Sequence, residues 1–187
     1  MAQIKKITSS LSVAATVLLE ACSSSGSDSG PTPVANTTAP QLVATWQTDC
    51  IVTDISGSTS TNTQASGGSF DGSISGGAAY RIIAIFNQDG RVEFITEIYG
   101  TSNCNPSKRT SNRYNAVYFV GGPGQANDNS PAIEIKYSDS SSSTYSIFQL
   151  VNSTSLYLGD ATTSSPGYDG GSEATRLDGL GTEMLKN

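Results

Sequence analysis

Histidine is absent from this chain of 187 residues. Its absence removes the commonest general base, the commonest metal ligand and the base that serine and cysteine nucleophiles use in catalytic triads. Charged residues make up only 14% of the chain, and the formal net charge is −6. Because nucleic-acid binding needs a concentrated basic face, we expect no nucleic acid as a partner. We also expect no enzymatic activity and no cofactor.

The sequence also lacks any apolar segment of the length, about 20 residues, that a membrane-spanning helix needs. The run from Ile7 to Leu19 is shorter, and it follows the basic pair Lys5 and Lys6. A basic start followed by a short apolar run is typical of a secretory signal peptide. Any membrane attachment of the mature chain therefore needs another route.

This leader ends in the segment Leu18-Leu19-Glu20-Ala21-Cys22. Leu19 stands three residues before the cysteine and Ala21 directly before it, and with Cys22 they resemble the lipobox of bacterial lipoproteins. Glu20 departs from the small or apolar residue usual at its position. The alternative is an ordinary secretory signal that happens to contain a cysteine.

The resemblance implies that a signal peptide, residues 1–21, is removed and that Cys22 carries lipid, including palmitate. Ser23 after the cysteine, in place of Asp, implies the outer membrane by the same resemblance. Residues 23–40 are rich in Ser, Gly and Pro, which predicts a flexible tether behind the lipidated cysteine. We therefore expect residues 41–187 to form a single domain that faces the periplasm or the cell surface.

The chain has three cysteines. Once Cys22 is assigned to lipid, Cys50 and Cys104 remain, and in an oxidising compartment we expect them to form a disulfide. A redox role is the alternative, but the spacing is not that of a C-x-x-C pair.

Short β-branched and aromatic runs, separated by Gly, Ser, Asn and Asp, follow from residue 42 onward. The clearest local signal is a β-hairpin whose arms, Ala79 to Asn87 and Arg91 to Tyr99, are joined through Gln88-Asp89-Gly90. In its second arm an apolar face alternates with a mainly polar one. The other predicted strands cover residues 42–53, 113–121, 132–139, 143–151 and 155–160, with a last strand or short helix in 173–185.

About eight strands in neighbouring order predict an all-β, antiparallel up-and-down meander that closes into a barrel, with an open β-sandwich as the alternative. Ala44-Thr45-Trp46 in the first strand and Arg176 near the last strand resemble the lipocalin family, over residues 42–178. The resemblance implies that Trp46 packs beneath Arg176 at the floor of the barrel. The alternative is that Trp46 is an ordinary core residue.

Carboxylates offer the remaining candidates for chemistry. Glu93, Glu97 and Glu134 could act as an acid pair, but they fall on the outward phase of their strands. Asp128 and Asp169 offer hard oxygen ligands without the spacing or the closing Glu of a calcium-binding EF-hand. We therefore expect neither a catalytic site nor a metal site.

The first functional hypothesis is an envelope lipoprotein that binds a small apolar or amphiphilic ligand inside a lipocalin-like barrel. The alternative is a protein-interaction module, either an enzyme inhibitor or a surface or assembly factor, with the 54–77 loop or the cluster Lys108, Arg109 and Arg113 as its patch. Ser75 to Tyr80 resembles the Ser-Gly-x-x-Tyr loop of periplasmic lysozyme inhibitors, although the tyrosine comes one residue late. The two hypotheses differ in one feature, because ligand binding would be contradicted by an interior filled by Phe86, Phe94, Tyr118, Ile135 and Phe148.

Overall fold

The computed structural model describes residues 30–52, 79–106 and 109–187. Three predicted features lie outside these residues: the leader with Cys22, the 54–77 loop and Lys108. Within these three ranges, a 3₁₀ turn at Pro40–Leu42 precedes nine strands. The strands are β1 Thr45–Thr48, β2 Ile51–Val52, β3 Ala79–Phe86, β4 Arg91–Tyr99, β5 Arg109–Gln125, β6 Pro131–Ser138, β7 Ser143–Leu150, β8 Ser155–Leu158 and β9 Met184–Lys186.

The strands form one antiparallel sheet that closes on itself. From β3 to β9 each strand pairs with the next, and β1 pairs with both β3 and β9, which completes an eight-stranded barrel. β2 is the extra strand, and it continues β1 along β3 after a one-residue shift in register. The predicted all-β up-and-down barrel is confirmed, and the open sandwich is excluded by the β1–β3 and β1–β9 pairings.

The β3–β4 hairpin has the predicted turn at Asp89-Gly90. Gly90 adopts φ +88°, a value that residues with a Cβ rarely adopt, and the Asp89 carboxylate accepts a hydrogen bond from the Arg91 amide. The predicted alternation in β4 holds only for its first half. Ile95, Glu97 and Tyr99, on the face expected to be mainly polar and exposed, are buried.

The predicted disulfide between Cys50 and Cys104 is confirmed, with a Cα–Cα distance of 5.9 Å. Cys50 lies in the break between β1 and β2, and Cys104 lies in the β4–β5 connection. Around the bridge, Ala79 and Tyr99 form a small apolar cluster outside the main core. The disulfide therefore links the break between β1 and β2 to the end of the β3–β4 hairpin that lies away from its turn.

One end of the barrel, where β1 begins, is closed by the chain that precedes it. Leu42 of the 3₁₀ turn belongs to the main core, and its carbonyl oxygen accepts a hydrogen bond from Trp46 Nε1 at 2.8 Å. Ala39 is also buried in this core. The packed part of the chain therefore begins before residue 41, where we placed the start of the domain. We call this end of the barrel the Trp46 end.

A long connection, residues 159–183, joins β8 to β9 and is predominantly irregular. Its backbone hydrogen-bonds to β7 through the Tyr145 amide and Gly170 oxygen and through the Leu177 amide and Tyr145 oxygen. It thereby occupies the edge of β7 that β8 leaves uncovered. The last predicted element is a short strand, Met184–Lys186, and not a helix. No helix in the described ranges has both the length and the apolar character of a membrane-spanning segment.

The β6–β7 turn is organised by the Asp139 carboxylate. Its Oδ1 accepts hydrogen bonds from the amides of Ser141 and Ser142, and its Oδ2 accepts one from the Tyr114 hydroxyl at 2.8 Å. Burial acts to raise the pKa of Asp139, but the hydrogen bonds from Ser141, Tyr114 and Ser142 outweigh it and hold the pKa well below its usual range. Burial and the bond to Asp139 raise the pKa of Tyr114.

These shifts predict an acid-dependent contribution to stability. Because the folded-state pKa of Asp139 lies below its unfolded value of about 3.9, its contribution is fully present above pH ~5 and is lost as the pH falls toward the folded-state pKa. We expect Asp139→Asn to lower the free energy of unfolding by about 1 kcal/mol at pH 7 and by less at pH 2.5. Urea unfolding at both pH values measures the effect, with the exposed Asp89→Asn as the control. An Asp139→Asn deficit that is equal at both pH values would contradict this account.

Candidate functional site

Aromatic side chains fill the barrel interior. Phe86 packs edge-to-face against Phe94 and Tyr118, with ring centroids 6.1 Å and 5.1 Å apart, and Phe94 meets Tyr137 at 5.3 Å. Five residues named from the sequence would contradict ligand binding if they filled the interior. Each is at most 2% exposed: Phe86, Phe94, Tyr118, Ile135 and Phe148. In the described part of the barrel, side chains therefore occupy the centre in which a ligand would lie.

A small cavity of about 30 Å³ lies at the opposite end, between Thr48, Tyr80, Asp160 and Met184. A water molecule needs about 10–15 Å³ of such volume, so this cavity has room for about two waters and not for a lipid. Tyr80 points inward, and burial together with the nearby Asp160 carboxylate raises its pKa. The tyrosine of the segment that resembles the lysozyme inhibitors is therefore a core residue. The rest of that motif, Ser75 to Ala78, lies outside the described residues.

Trp46 and Arg176 do not meet at the barrel floor. Trp46 is fully buried, and the cation over its ring is Lys186, whose Nζ lies 5.7 Å from the ring centroid. Lys186 occupies this place because β9 pairs with β1 directly opposite Trp46. Arg176 lies in the β8–β9 connection, over the ring of Tyr145 on the outer surface. The predicted floor pair is therefore corrected: Trp46 packs in the core, and its cation partner is Lys186.

Two cations of the predicted partner patch are neutralised by carboxylates of β4. Arg109 pairs with Glu97, and Arg113 pairs with Glu93, each at 2.5 Å. Glu97 also accepts a hydrogen bond from the buried Tyr99 hydroxyl. This surface is therefore not a free basic patch in the part of the chain that the structure describes.

The acidic metal candidates are engaged in turns. Asp128 caps the β5–β6 turn by accepting a hydrogen bond from the Ser130 amide, and bonds from Ser130 lower its pKa. Asp169 accepts a bond from the Gly171 amide in the same manner. Over residues 30–52, 79–106 and 109–187, no group of three or more Cys, Asp or Glu side chains is arranged to hold a metal ion.

A groove of about 180 Å³ lies on the outer face of β5, β6 and β7, and we call it the bulge groove. Phe119, Lys136 and Tyr145 stand opposite one another on the three strands, so the lysine lies between two aromatic residues. Lys136 Nζ is 5.3 Å from the centroid of the Tyr145 ring. Among the described residues, no carboxylate forms an ion pair with Lys136.

The wall of the bulge groove is formed by Arg176 and by a β-bulge. Arg176 Nη2 lies 3.3 Å from Glu134 Oε2, and Nη1 donates to the Ser146 carbonyl oxygen at 3.3 Å. On β5, Gly121 and Gly122 together oppose the single residue Glu134. A Cβ at Gly121 would lie 2.9 Å from the Glu134 Cβ, so this close approach requires glycine.

Sequence reasoning found Arg176 but assigned it to the wrong neighbour, and it did not find the bulge groove. The alternation of Ile133, Ile135 and Tyr137 with Glu134 and Lys136 places Lys136 on the polar face of its strand, and the side chain does line the outer groove. Phe119 and Tyr145 lie beside Lys136 because of how β5 and β7 pair with β6. No residue pattern within β5 or β7 predicts this pairing register. Gly121-Gly122 before Pro123 was the available sign of an irregular strand.

Arg176 is expected to anchor the β8–β9 connection. Its side chain is 13% exposed and contacts Glu134, Ser146 and Tyr145. We expect Arg176→Ala to lower the free energy of unfolding by about 1–2 kcal/mol and to speed hydrogen exchange at the Leu177 amide, which bonds to Tyr145.

The matched control is Arg91→Ala, which removes an exposed arginine paired with Asp89. We expect this variant to change stability by less than about 0.5 kcal/mol. Faster exchange at Leu177 in Arg91→Ala, or unchanged exchange in Arg176→Ala, would contradict the anchoring role. Exchange followed by NMR or mass spectrometry measures both variants.

Comparison of this chain with models of known protein families, with curated proteins and with solved structures finds no match in any of the three.

Proposed function

We propose that this protein is a non-enzymatic lipoprotein of the bacterial outer membrane whose barrel binds another envelope protein through its outer surface. The membrane part rests on the lipobox-like segment that ends at Cys22. The binding part rests on one observation above all, which is the packed aromatic interior of the barrel. Because the described interior leaves only a cavity of about 30 Å³, the outer surface is the part of the barrel that can bind a partner.

The small-ligand hypothesis is weaker on this geometry. Binding sites for small molecules typically enclose about 300–1,000 Å³ and bury most of the ligand. The cavity at the Asp160 side of the barrel holds about 30 Å³ and is lined in part by Thr48 and Asp160. A lipid or another amphiphile would have to displace core side chains such as Phe94, at a cost of several kcal/mol.

The bulge groove is the surface that we propose for the partner. Aromatic residues and arginine are enriched among the residues that carry binding energy in protein interfaces, and the groove combines Phe119, Tyr145 and Arg176. Lys136 supplies a cation with no ion-pair partner among the described residues. We therefore propose that the partner presents an acidic side chain next to an apolar one.

The anchor is tested with labelled palmitate in the bacterial host. We expect label in the wild-type protein and none in Cys22→Ala, because the cysteine sulfur is the acylation site. Cys50→Ser serves as the control, since it removes a different cysteine and is expected to keep the label. Equal labelling of wild type and Cys22→Ala would remove the anchor from the proposal.

The binding surface is tested by photo-crosslinking in cells. A crosslinking amino acid at Phe119 or Tyr145 is expected to trap one and the same protein, and Lys136→Glu is expected to abolish both products. Val151, exposed in the β7–β8 turn, is the control position. Products that differ between Phe119 and Tyr145, or that persist in Lys136→Glu, would contradict the groove. Native mass spectrometry of the intact protein distinguishes the ligand hypothesis, which requires a bound small molecule.

A further inference from the structure

The chain that leads into the barrel is held along its surface by several contacts. The Asn36 amide donates to the Gln88 carbonyl oxygen at 2.9 Å, and Gln88 Nε2 donates to the Asn36 carbonyl oxygen at 2.6 Å. The Asn36 side chain is buried and forms two further bonds with the backbone of Ala39. The backbone of Val34 lies so close to Gly90 that a Cβ there would be 2.1 Å from the Val34 oxygen.

Further toward the N-terminus, the same segment reaches the β6–β7 turn. A side chain at Gly30 would lie 3.6 Å from the Cα of Ser140. Pro31 borders a groove of about 300 Å³ together with Arg91 and the turn residues 138–140. Residues 30–42 thus follow the barrel from this turn to the Trp46 end, and they are not part of a free tether.

This packing shortens the distance over which the lipid can hold the barrel. Eight Cα–Cα steps lead from Cys22 to Gly30, and they span at most about 28 Å when fully extended. If the tether had extended to residue 40, the corresponding limit would be about 63 Å. Because Gly30 lies beside Ser140, this limit also keeps the acylated cysteine within reach of the β6–β7 turn.

We infer that residues 30–42 act as a packed strap that turns the β6–β7 turn toward the bilayer, so the partner of the bulge groove is a protein of the same membrane. The inference rests on the lipidation of Cys22 proposed above. Lys136 and Tyr145 stand on the two strands that this turn joins, within three residues of the strand ends at the turn. The groove therefore lies on the membrane-proximal part of the barrel, within about 40 Å of the acylated cysteine.

The β7–β8 turn is the natural point of comparison. It lies at the other end of β7, eight residues from the β6–β7 turn, which is about 25 Å along the strand. A probe at Val151 in that turn is therefore expected to lie farther from the bilayer than a probe at Ser140. Both positions are exposed, so neither label disturbs the core.

The test uses the acylated protein, purified from its host and reconstituted into phosphatidylethanolamine and phosphatidylglycerol vesicles. A donor dye on Ser140→Cys or Val151→Cys reacts with the single free thiol, since Cys22 is acylated and Cys50 and Cys104 are bonded to each other. Energy transfer to a dye-labelled lipid is measured. We expect transfer from Ser140 to exceed transfer from Val151 by about two-fold, given the ~25 Å between them.

The strap itself is tested by Asn36→Ala combined with Gln88→Ala, which removes the side-chain hydrogen bonds of Asn36 with Ala39 and of Gln88 with the Asn36 carbonyl oxygen. We expect transfer from Ser140 to fall and the two positions to become alike. Gln149→Ala, which removes a single Gln-to-carbonyl bond elsewhere, is the matched control and is expected to change nothing.

Equal transfer from Ser140 and Val151 in vesicle-bound protein would overturn the strap and leave the anchor intact. A difference that survives in the Asn36→Ala and Gln88→Ala variant would also overturn it. Protein that is recovered without acylation would overturn both the strap and the proposed lipoprotein. The location of the partner is tested by identifying the protein that crosslinks at Phe119. A crosslinked protein that is soluble in the periplasm would contradict a partner in the same membrane.

Discussion

The double variant Cys50→Ser and Cys104→Ser is expected to lose about 4 kcal/mol of stability, because the disulfide closes a loop of 54 residues and limits the entropy of the unfolded chain. The bridge also holds the β1–β2 break against the β4–β5 connection. Its removal therefore leaves the short strand β2 with only two paired residues on β3. We expect the loss of structure to begin at this side of the barrel.

Urea unfolding of the wild type and the double variant, followed by the fluorescence of the single tryptophan, measures the change. Cys22→Ala is the control, because it removes a cysteine outside the bridge and is expected to keep full stability. Hydrogen exchange at Ile51 and Val52 locates the effect. A loss below about 1 kcal/mol would mean that the barrel constrains this loop without the bridge.

The barrel could be predicted because its local signals agree with one another. Asp89-Gly90 specifies a tight hairpin, and the alternation of Val92 and Phe94 with polar residues specifies the face that enters the core. The pairing of Cys50 and Cys104 followed from counting cysteines once Cys22 had been set aside. Each of these predictions depends on residues that are close in sequence or on a count.

The contacts that were predicted wrongly depend on register between distant strands. Lys186 lies over Trp46 because β9 meets β1 residue for residue, and no pattern near position 46 indicates this pairing. Arg176 has a suitable position in the sequence, but the long β8–β9 connection carries it to the outer surface beside Tyr145. The position of Arg176 in the sequence therefore does not predict where its side chain lies, because it belongs to a connection of 25 residues between β8 and β9.

The end of the predicted flexible tether was also placed wrongly, because it depends on contacts between residues that are distant in sequence. Composition predicted a flexible spacer through residue 40, because Ser, Gly and Pro bury little apolar surface. Asn36 is nevertheless buried, since its side-chain amide closes a turn on Ala39 and its backbone pairs with Gln88. Hydrogen bonds hold this polar segment beside the few apolar residues, Ala39 and Leu42, that enter the core, and composition does not reveal such bonds.

The variant Phe94→Ala is expected to turn the filled barrel into a hollow one. Phe94 is 1% exposed and contacts the rings of Phe86, Tyr114 and Tyr137, so truncation leaves a cavity that these neighbours do not close. We expect the free energy of unfolding to fall by about 3–5 kcal/mol. An apolar cavity of this kind stays dry and binds small aromatic molecules.

Benzene is therefore expected to raise the melting temperature of Phe94→Ala and to leave the wild type unchanged. Phe94→Leu, with a smaller cavity, provides a second variant in case the alanine variant does not fold. Tyr157→Ala is the matched control, because it truncates an aromatic residue on the outer face of β8 and is expected to bind no benzene. Stabilisation of the wild type by benzene would reveal internal volume in the native barrel. That result would favour a small apolar ligand over a protein partner, because a natural ligand needs the same space that benzene would have found.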